Sequence, residues 1–257
     1  MSHSHRELEL LEVLKRLGGS ARNADLAKAL DVSEETVRRT VKSLSITSGL
    51  ERVRGGAYLA SSQNDPSFFR RISQRTNEKR LIAAVVCDVV EDGMTVYLDV
   101  GSTTAYVAED LRLRRNLTVV TNSIGVAQTL VNVNGNRVHL LGGEMQVNDR
   151  GTFGHDTYCQ VQRFALDMAI FSLDAVSASK GFLYQSSVES QLSAAIAEKA
   201  DRVLVAFDHG KLSETAPYVG PDPRQVDYVV TDSPLEEPFV TAFADWSIQS
   251  FIASRKS

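Results

Sequence analysis

Cysteine is scarce: Cys87 and Cys159 are the two in 257 residues, too few for a disulfide framework and too far apart for a paired metal knuckle. Both read as buried thiols. Long apolar runs are missing too, since Leu81 to Cys87 and Val203 to Phe207 fall far short of the roughly 20 residues that a membrane span needs. Met1 to Arg6 carries no long apolar core followed by a small-residue cleavage site, so no secretory signal is expected and the expected compartment is the cytoplasm. Glycine follows no period, and no internal repeat or low-complexity tract appears, which excludes collagen-like and solenoid chains. Neither a P-loop nor a Rossmann glycine fingerprint is present. His155 and His209 have no metal role without a carboxylate or thiol partner at the right spacing, and His3 and His5 belong to a terminal arm, so no metal and no cofactor is expected.

What is present is a chain 43% hydrophobic and 23% charged, enough for a globular core. Its net charge of −4 hides an asymmetry: residues 1–80 sum to +5 and the rest to −9. A basic front end on an acidic body steers one end toward a polyanion, although surface composition alone can produce the same split.

Between Arg6 and Leu17, the residues Leu8, Leu11, Val13, Leu14 and Leu17 fall mostly at helical spacing, and Gly18-Gly19 ends the run. Asn23 is placed to cap a second, short helix carrying Leu26, Ala27 and Leu30, followed by the turn Asp31-Val32-Ser33. Ser33 caps a third helix, Glu34 to about Leu44, which buries Val37, Val41 and Leu44 and leaves Thr36, Arg38, Arg39 and Lys42 elsewhere. A helix, a tight turn and a second helix with basic and hydroxyl residues near its front suit the major groove. The stretch Gly49 to Leu59 alternates around Gly55-Gly56 and reads as a hairpin whose Arg52 and Arg54 can lie on phosphate. A three-helix bundle with solvated arginines is the plainer alternative for each piece.

The pattern Leu26-Ala27, Val32-Ser33, Thr36-Val37-Arg38-Arg39 and Arg52-Val53-Arg54-Gly55-Gly56-Ala57 resembles the winged helix-turn-helix of DeoR-family bacterial regulators. One departure is Thr40-Val41, where the family usually follows the arginines with Asp and an apolar residue. The resemblance implies double-stranded operator DNA as partner, met by Ser33, Thr36, Arg38, Arg39, Lys42, Arg52, Arg54 and Gly55.

Residues 61–77 are polar and basic with Pro66, and read as a linker with some helix near its end. Beyond it, an apolar stripe through Ile82, Ala83, Val85, Val86 and Val89 predicts a helix ended at Gly93. Strands then alternate with helices: 95–98, 117–120, 138–141, 168–172, 202–207 and 228–231, with helices at 105–111, 123–131 and 189–200. Such alternation predicts a mainly parallel α/β sheet covered on both faces. Trp246 and Phe251 read as packing anchors of the C-terminal tail.

In such sheets ligands bind beyond the carboxyl ends of strands. Asp99-Val100-Gly101-Ser102-Thr103-Thr104 joins a strand end to a helix start, where hydroxyls stand beside unpaired N–H groups; this is an anion cradle or an ordinary helix cap. Thr121-Asn122-Ser123, Gly142-Gly143-Glu144, Asp174 and Asp208-His209-Gly210-Lys211 repeat the arrangement at further strand ends.

Their order is similar to the DeoR-family sensor domain, itself resembling the ribose-5-phosphate isomerase and CoA-transferase fold, and the likeness runs over residues 6–235. It implies a DNA-binding domain at 1–60, a linker at 61–77 and an effector-sensing domain at 78–257. By resemblance the effector is a phosphorylated sugar or polyol held by Asp99, Gly101, Ser102, Thr103, Thr104, Thr121, Asn122, Gly143, Asp174, Asp208 and Lys211. Three departures stand out: Ser172-Leu173 replaces a Gly-Ala pair, Ser193 replaces a lysine, and His209-Gly210 replaces two serines. The expected function is repression of a sugar or polyol catabolism operon by a homo-oligomer (dimer or tetramer). The alternative is a sugar-phosphate isomerase or acyl transferase with an appended DNA module, against which stand the missing lysine and the lack of a nucleophile elbow.

Overall fold

The computed structural model describes residues 5–16, 20–47, 50–53, 55–59, 68–146 and 150–254. The chain forms two compact units, 1–74 and 75–257. In the first, α1 (His5–Arg16), α2 (Asn23–Leu30) and α3 (Glu34–Thr47) join a three-stranded antiparallel sheet of β1 (Ser20–Arg22), β2 (Leu50–Val53) and β3 (Gly56–Leu59), ordered β1-β3-β2. Helix α4 (Phe68–Ser73) follows. Leu10 and Leu14 of α1, Leu26 of α2, Val37, Val41 and Leu44 of α3, and Leu50 of β2 close one core. Each such side chain contributes about 1.5–3 kcal/mol by leaving water.

Three readings of this unit need correction. Leu8 is exposed and Leu10 fully buried, so the stripe of α1 is rotated from the expected one. Asn23 is the first residue of α2 and makes no cap: the helix starts after Arg22, and the Asn23 amide oxygen is buried without a partner. Strand β1 went unread because three residues carry no periodicity. Gly18-Gly19, Arg54 and residues 60–67 lie outside the described residues.

The second unit is built on seven parallel strands. Helix α5 (Thr76–Val89) leads into β4 (Thr95–Leu98), α6 (Ser102–Asp110), β5 (Thr118–Thr121), α7 (Ile124–Leu130) and β6 (Arg137–Leu140). After the hairpin β7 (Glu144–Gln146) and β8 (Gly151–Phe153), α8 (His155–Val161) precedes β9 (Met168–Phe171). Next come β10 (Ala175–Ser177), β11 (Gly181–Tyr184), α9 (Ser187–Ala197), β12 (Val203–Ala206), β13 (Tyr218–Val219), β14 (Tyr228–Thr231), α10 (Phe239–Asp245) and β15 (Gln249–Ile252). The main sheet runs β15-β14-β12-β9-β4-β5-β6, every pair parallel, and β10-β11-β13 form a small antiparallel sheet.

Period-two alternation sorts the strands onto two cores. Val96, Leu98, Val119, Met168, Ile170, Leu204 and Ala206 meet Ile82, Val86, Val107 and Leu130 of α5, α6 and α7. Tyr97, Val120, Ala169, Phe171, Val203 and Val205 face Phe182, Tyr184, Ile196 and Phe243 on the other side. Central β9 and β12 are buried throughout, whereas the edge strand β6 is largely exposed. Trp246 packs on Phe182 and Phe243, and Phe251 on Tyr228, as tail anchors should. Cys87 is buried, but Cys159 is exposed on α8 with its Sγ 3.4 Å from His155 Nε2, which corrects its reading as a buried thiol.

Candidate functional site

Ser33 does what its position requires: its Oγ accepts the Thr36 N–H at 3.2 Å and opens α3. The Thr36 hydroxyl shares a 2.9 Å hydrogen bond with Ser33 Oγ. One turn on, Arg38 is paired with Glu34 at 3.4 Å and Glu35 at 3.7 Å, and Arg39 with Glu35 at 3.6 Å. These pairs lie in water, with Arg39 82% exposed, and such pairs are weak and readily exchanged for another anion. Lys42, Arg52 and Gly55 are exposed, and Gly55 turns the hairpin at φ +86° while its carbonyl accepts the Asn23 N–H at 2.7 Å.

Because the main sheet is parallel, the carboxyl ends of β12, β9, β4, β5 and β6, five adjacent strands, share one rim. Every effector residue named from the sequence lies at or just beyond one of those five ends. At its middle, Asp99 is buried, its Oδ2 accepting the Ser172 N–H at 2.7 Å. Burial pushes its carboxyl up to about 7; hydrogen bonds from Ser172 and Thr104 oppose the rise and the Asp174 charge adds to it. Thr104 donates to the carbonyls of Asp99 and Gly101 at 3.2 and 3.1 Å, so its hydroxyl shapes the loop from within. Ser102 and Thr103, also buried, occupy the first positions of α6. Gly101 is required by close approach: a Cβ there would sit 1.7 Å from Ser172 Oγ.

The neighbouring loops are braced in the same way. Thr121 donates to the Leu98 carbonyl at 2.7 Å, and Asn122 accepts from Tyr97 Oη at 2.8 Å while donating to the Thr152 carbonyl at 3.0 Å. Gly143, exposed at φ +142°, turns the chain into β7. Asp174, half-buried, accepts the Gln185 N–H at 2.8 Å. Asp208 is buried and already engaged, by the Gly210 N–H at 3.1 Å and by Arg75 Nη1 at 3.4 Å. The Arg75 guanidinium lies where a Cβ on Gly210 would be, 2.3 Å from its Cζ. His209 Nδ1 stands 2.7 Å from Asp232, and Lys211 is half-buried on the turn beyond.

Two side chains that contact the rim escaped the sequence reading. Tyr97, which donates to Asn122, sits in a strand, where an aromatic reads as core. Arg75 was visible as one of several basic linker residues, with nothing to connect it to Asp208, 133 positions away.

The model of the DeoR-like helix-turn-helix domain matches residues 6–63, and that of the DeoR C terminal sensor domain matches residues 74–233. The chain is 30% identical over 249 residues to the glycerol-3-phosphate regulon repressor of Escherichia coli (strain K12), covering 97% of this chain and 98% of that one. It is 32% identical over 209 residues to the HTH-type transcriptional repressor CsqR of the same organism, covering 81% and 80%. To the HTH-type transcriptional repressor GlcR of Bacillus subtilis (strain 168) it is 27% identical, covering 90% and 89%. Ribose 5-phosphate isomerase A of Methanocaldococcus jannaschii superposes with a TM-score of 0.40 at 17% identity, over 54% of this chain and 55% of that one, too distant to bear on the site. With a reader module and a sensor module each matched, and full-length likeness to repressors, the chain belongs to the DeoR family of transcriptional regulators.

Proposed function

We propose that this chain is a repressor of a sugar or polyol catabolism operon, released from its operator by a phosphorylated sugar or polyol bound at the rim of the parallel sheet. The reader is residues 1–60, the linker 61–77 and the sensor 78–257. Ser33, Thr36, Arg38, Arg39, Lys42, Arg52, Arg54 and Gly55 meet DNA, with Arg38 and Arg39 toward bases and the hairpin arginines on phosphate. One small reader covers few base pairs, so the protein works as a homo-oligomer on repeated half-sites.

The observation that carries the sensor half of this reading is the convergence of five adjacent strand ends on one rim beside the α6 N-terminus. Ser102, Thr103 and the α6 amides hold the phosphate, with Lys211 as the nearby cation; Asp99 and Asp174 accept from sugar hydroxyls. Gly101, Thr104, Thr121, Asn122, Gly143 and Asp208 hold these groups in place. An enzyme is the poorer reading, because the relatives matched over four fifths or more of their length are repressors.

The test is operator release, followed by fluorescence anisotropy, across phosphorylated sugars and polyols with their unphosphorylated parents as controls. A phosphorylated compound should release wild-type protein, and Thr103→Leu should stay on DNA at the same concentration with its effector-free affinity unchanged. Release of Thr103→Leu at wild-type concentrations places the ligand elsewhere.

A further inference from the structure

The main sheet ends at β6, and among the described residues no strand pairs with its outer side. Hydrogen bonds fix which groups face that way. Arg137 and Leu141 donate their N–H groups to the Leu117 and Thr121 carbonyls, each at 2.8 Å, so Arg137, His139 and Leu141 turn their main chain toward β5. Val138 and Leu140, between them, turn N–H and C=O outward. On either side the outward groups are already taken. The Asn136 N–H donates to the Val133 carbonyl at 2.9 Å; the Gly142 N–H donates to Gln160 Oε1 at 2.9 Å, and the Gly142 carbonyl accepts from Thr157 at 2.7 Å. The open stretch of edge is therefore Val138 and Leu140, symmetric about His139.

A bare edge is a template for another strand, and proteins blunt it with proline, lysine or a bulge. β6 has none of these: it reads Arg-Val-His-Leu and pairs with β5 in unbroken register. Apolar side chains are exposed on it and on the elements next to it in sequence: Val131 after α7, Leu140 on β6, Met145 on β7 and Tyr158 on α8, each 44–50% exposed.

A second copy of the chain fits this edge by symmetry. Two β6 strands laid antiparallel about a two-fold axis at His139 set Val138 of each opposite Leu140 of the other, and each such pair exchanges both of its hydrogen bonds. Centring the axis on Val138 or Leu140 instead opposes Leu140 to Asn136 or Val138 to Gly142, whose N–H groups are spent. With the axis at His139, Leu140 meets Val138 on one face. On the other face the two His139 side chains oppose each other as a non-hydrogen-bonded pair, with Cα atoms about 4.5 Å apart.

We propose that β6 is the centre of a two-fold interface between copies of this chain, joining their main sheets edge to edge with His139 on the axis. A strand of four residues buries less than the roughly 800 Å² per partner of a stable interface, and the neighbouring exposed apolar side chains complete it. This rests on the homo-oligomer of the proposed function and names its surface.

Val138→Pro removes an outward N–H and spares the bonds to β5. By sedimentation equilibrium of the full-length chain, wild type should be an oligomer and Val138→Pro should have half its mass. In a Cys159→Ser background, which removes the exposed thiol, His139→Cys should form a disulfide-linked dimer at least about tenfold faster than Arg137→Cys, because only the residue on the axis lies within bridging distance of its own copy. If Val138→Pro fails to fold, the cross-link alone decides. Unchanged mass in folded Val138→Pro, or cross-linking at 139 no faster than at 137, overturns the β6 interface and leaves an oligomer built elsewhere. A monomeric wild type overturns the homo-oligomer reading and this one with it.

Discussion

Helix α3 and the sheet rim both present polar groups, and they differ in how those groups are held. On α3 the arginines pair with Glu34 and Glu35 in open water, at distances of 3.4–3.7 Å. At the rim, Asp99, Thr104, Thr121 and Asn122 are buried and bonded to backbone or, for Asn122, also to the Tyr97 hydroxyl. Exposed pairs exchange partners at little cost, which suits a surface that slides along many sequences before settling on one. Buried hydrogen-bonded groups hold one geometry, which suits discrimination among small ligands that differ by a hydroxyl.

The strongest test of that contrast is pH. Asp99 ionises near 7 in the folded chain against an ordinary 3.8. Between these values the folded state holds a proton that the unfolded state has lost, so stability from this group is present at low pH and is lost as pH rises toward 7. The upper bound is about 4 kcal/mol. Urea denaturation at pH 5 and pH 7.5 should show the loss in wild type and a smaller one in Asp99→Asn; equal pH dependence in both would remove the buried carboxyl from the comparison.

Smaller effects are expected on DNA. Arg38→Ala should lose about 1–3 kcal/mol of discrimination at one base position, whereas Arg54→Ala should weaken all sequences alike and lower the salt slope by about 1. Salt titrations on specific and random duplexes separate the two, and equal losses on both duplexes for both variants contradict the division. Smallest of all, Glu35→Gln removes the ion pair of Arg39 and one of the two of Arg38, which keeps Glu34. It should change stability by no more than about 0.5 kcal/mol while tightening DNA binding, and a larger stability loss would mean that the surface pairs are structural.

Legibility followed the same divide. Strands β4 and β14 were read to the residue, and β9 and β12 to within one or two, because their apolar runs are bounded by polar loops. Strands β7, β8, β10 and β13, of two or three residues, hold too little pattern, and edge strand β15 lacks the apolar run of a buried one. The rim loops stood out as polar residues after buried strands. Which of their groups already have partners did not, since Thr104, Asn122 and Asp208 look alike in sequence whether they face a ligand or their own backbone.

Arg75 turns the chain into α5 at φ +48°, the left-handed region, and its guanidinium rests on Gly210 beside Asp208. The first residue of the second unit is thereby paired with the loop after β12, on the same rim as the hydroxyls of Ser102 and Thr103. The turn that opens α5 and the 208–211 loop therefore share one buried anion, Asp208, and its loss removes a contact from both at once.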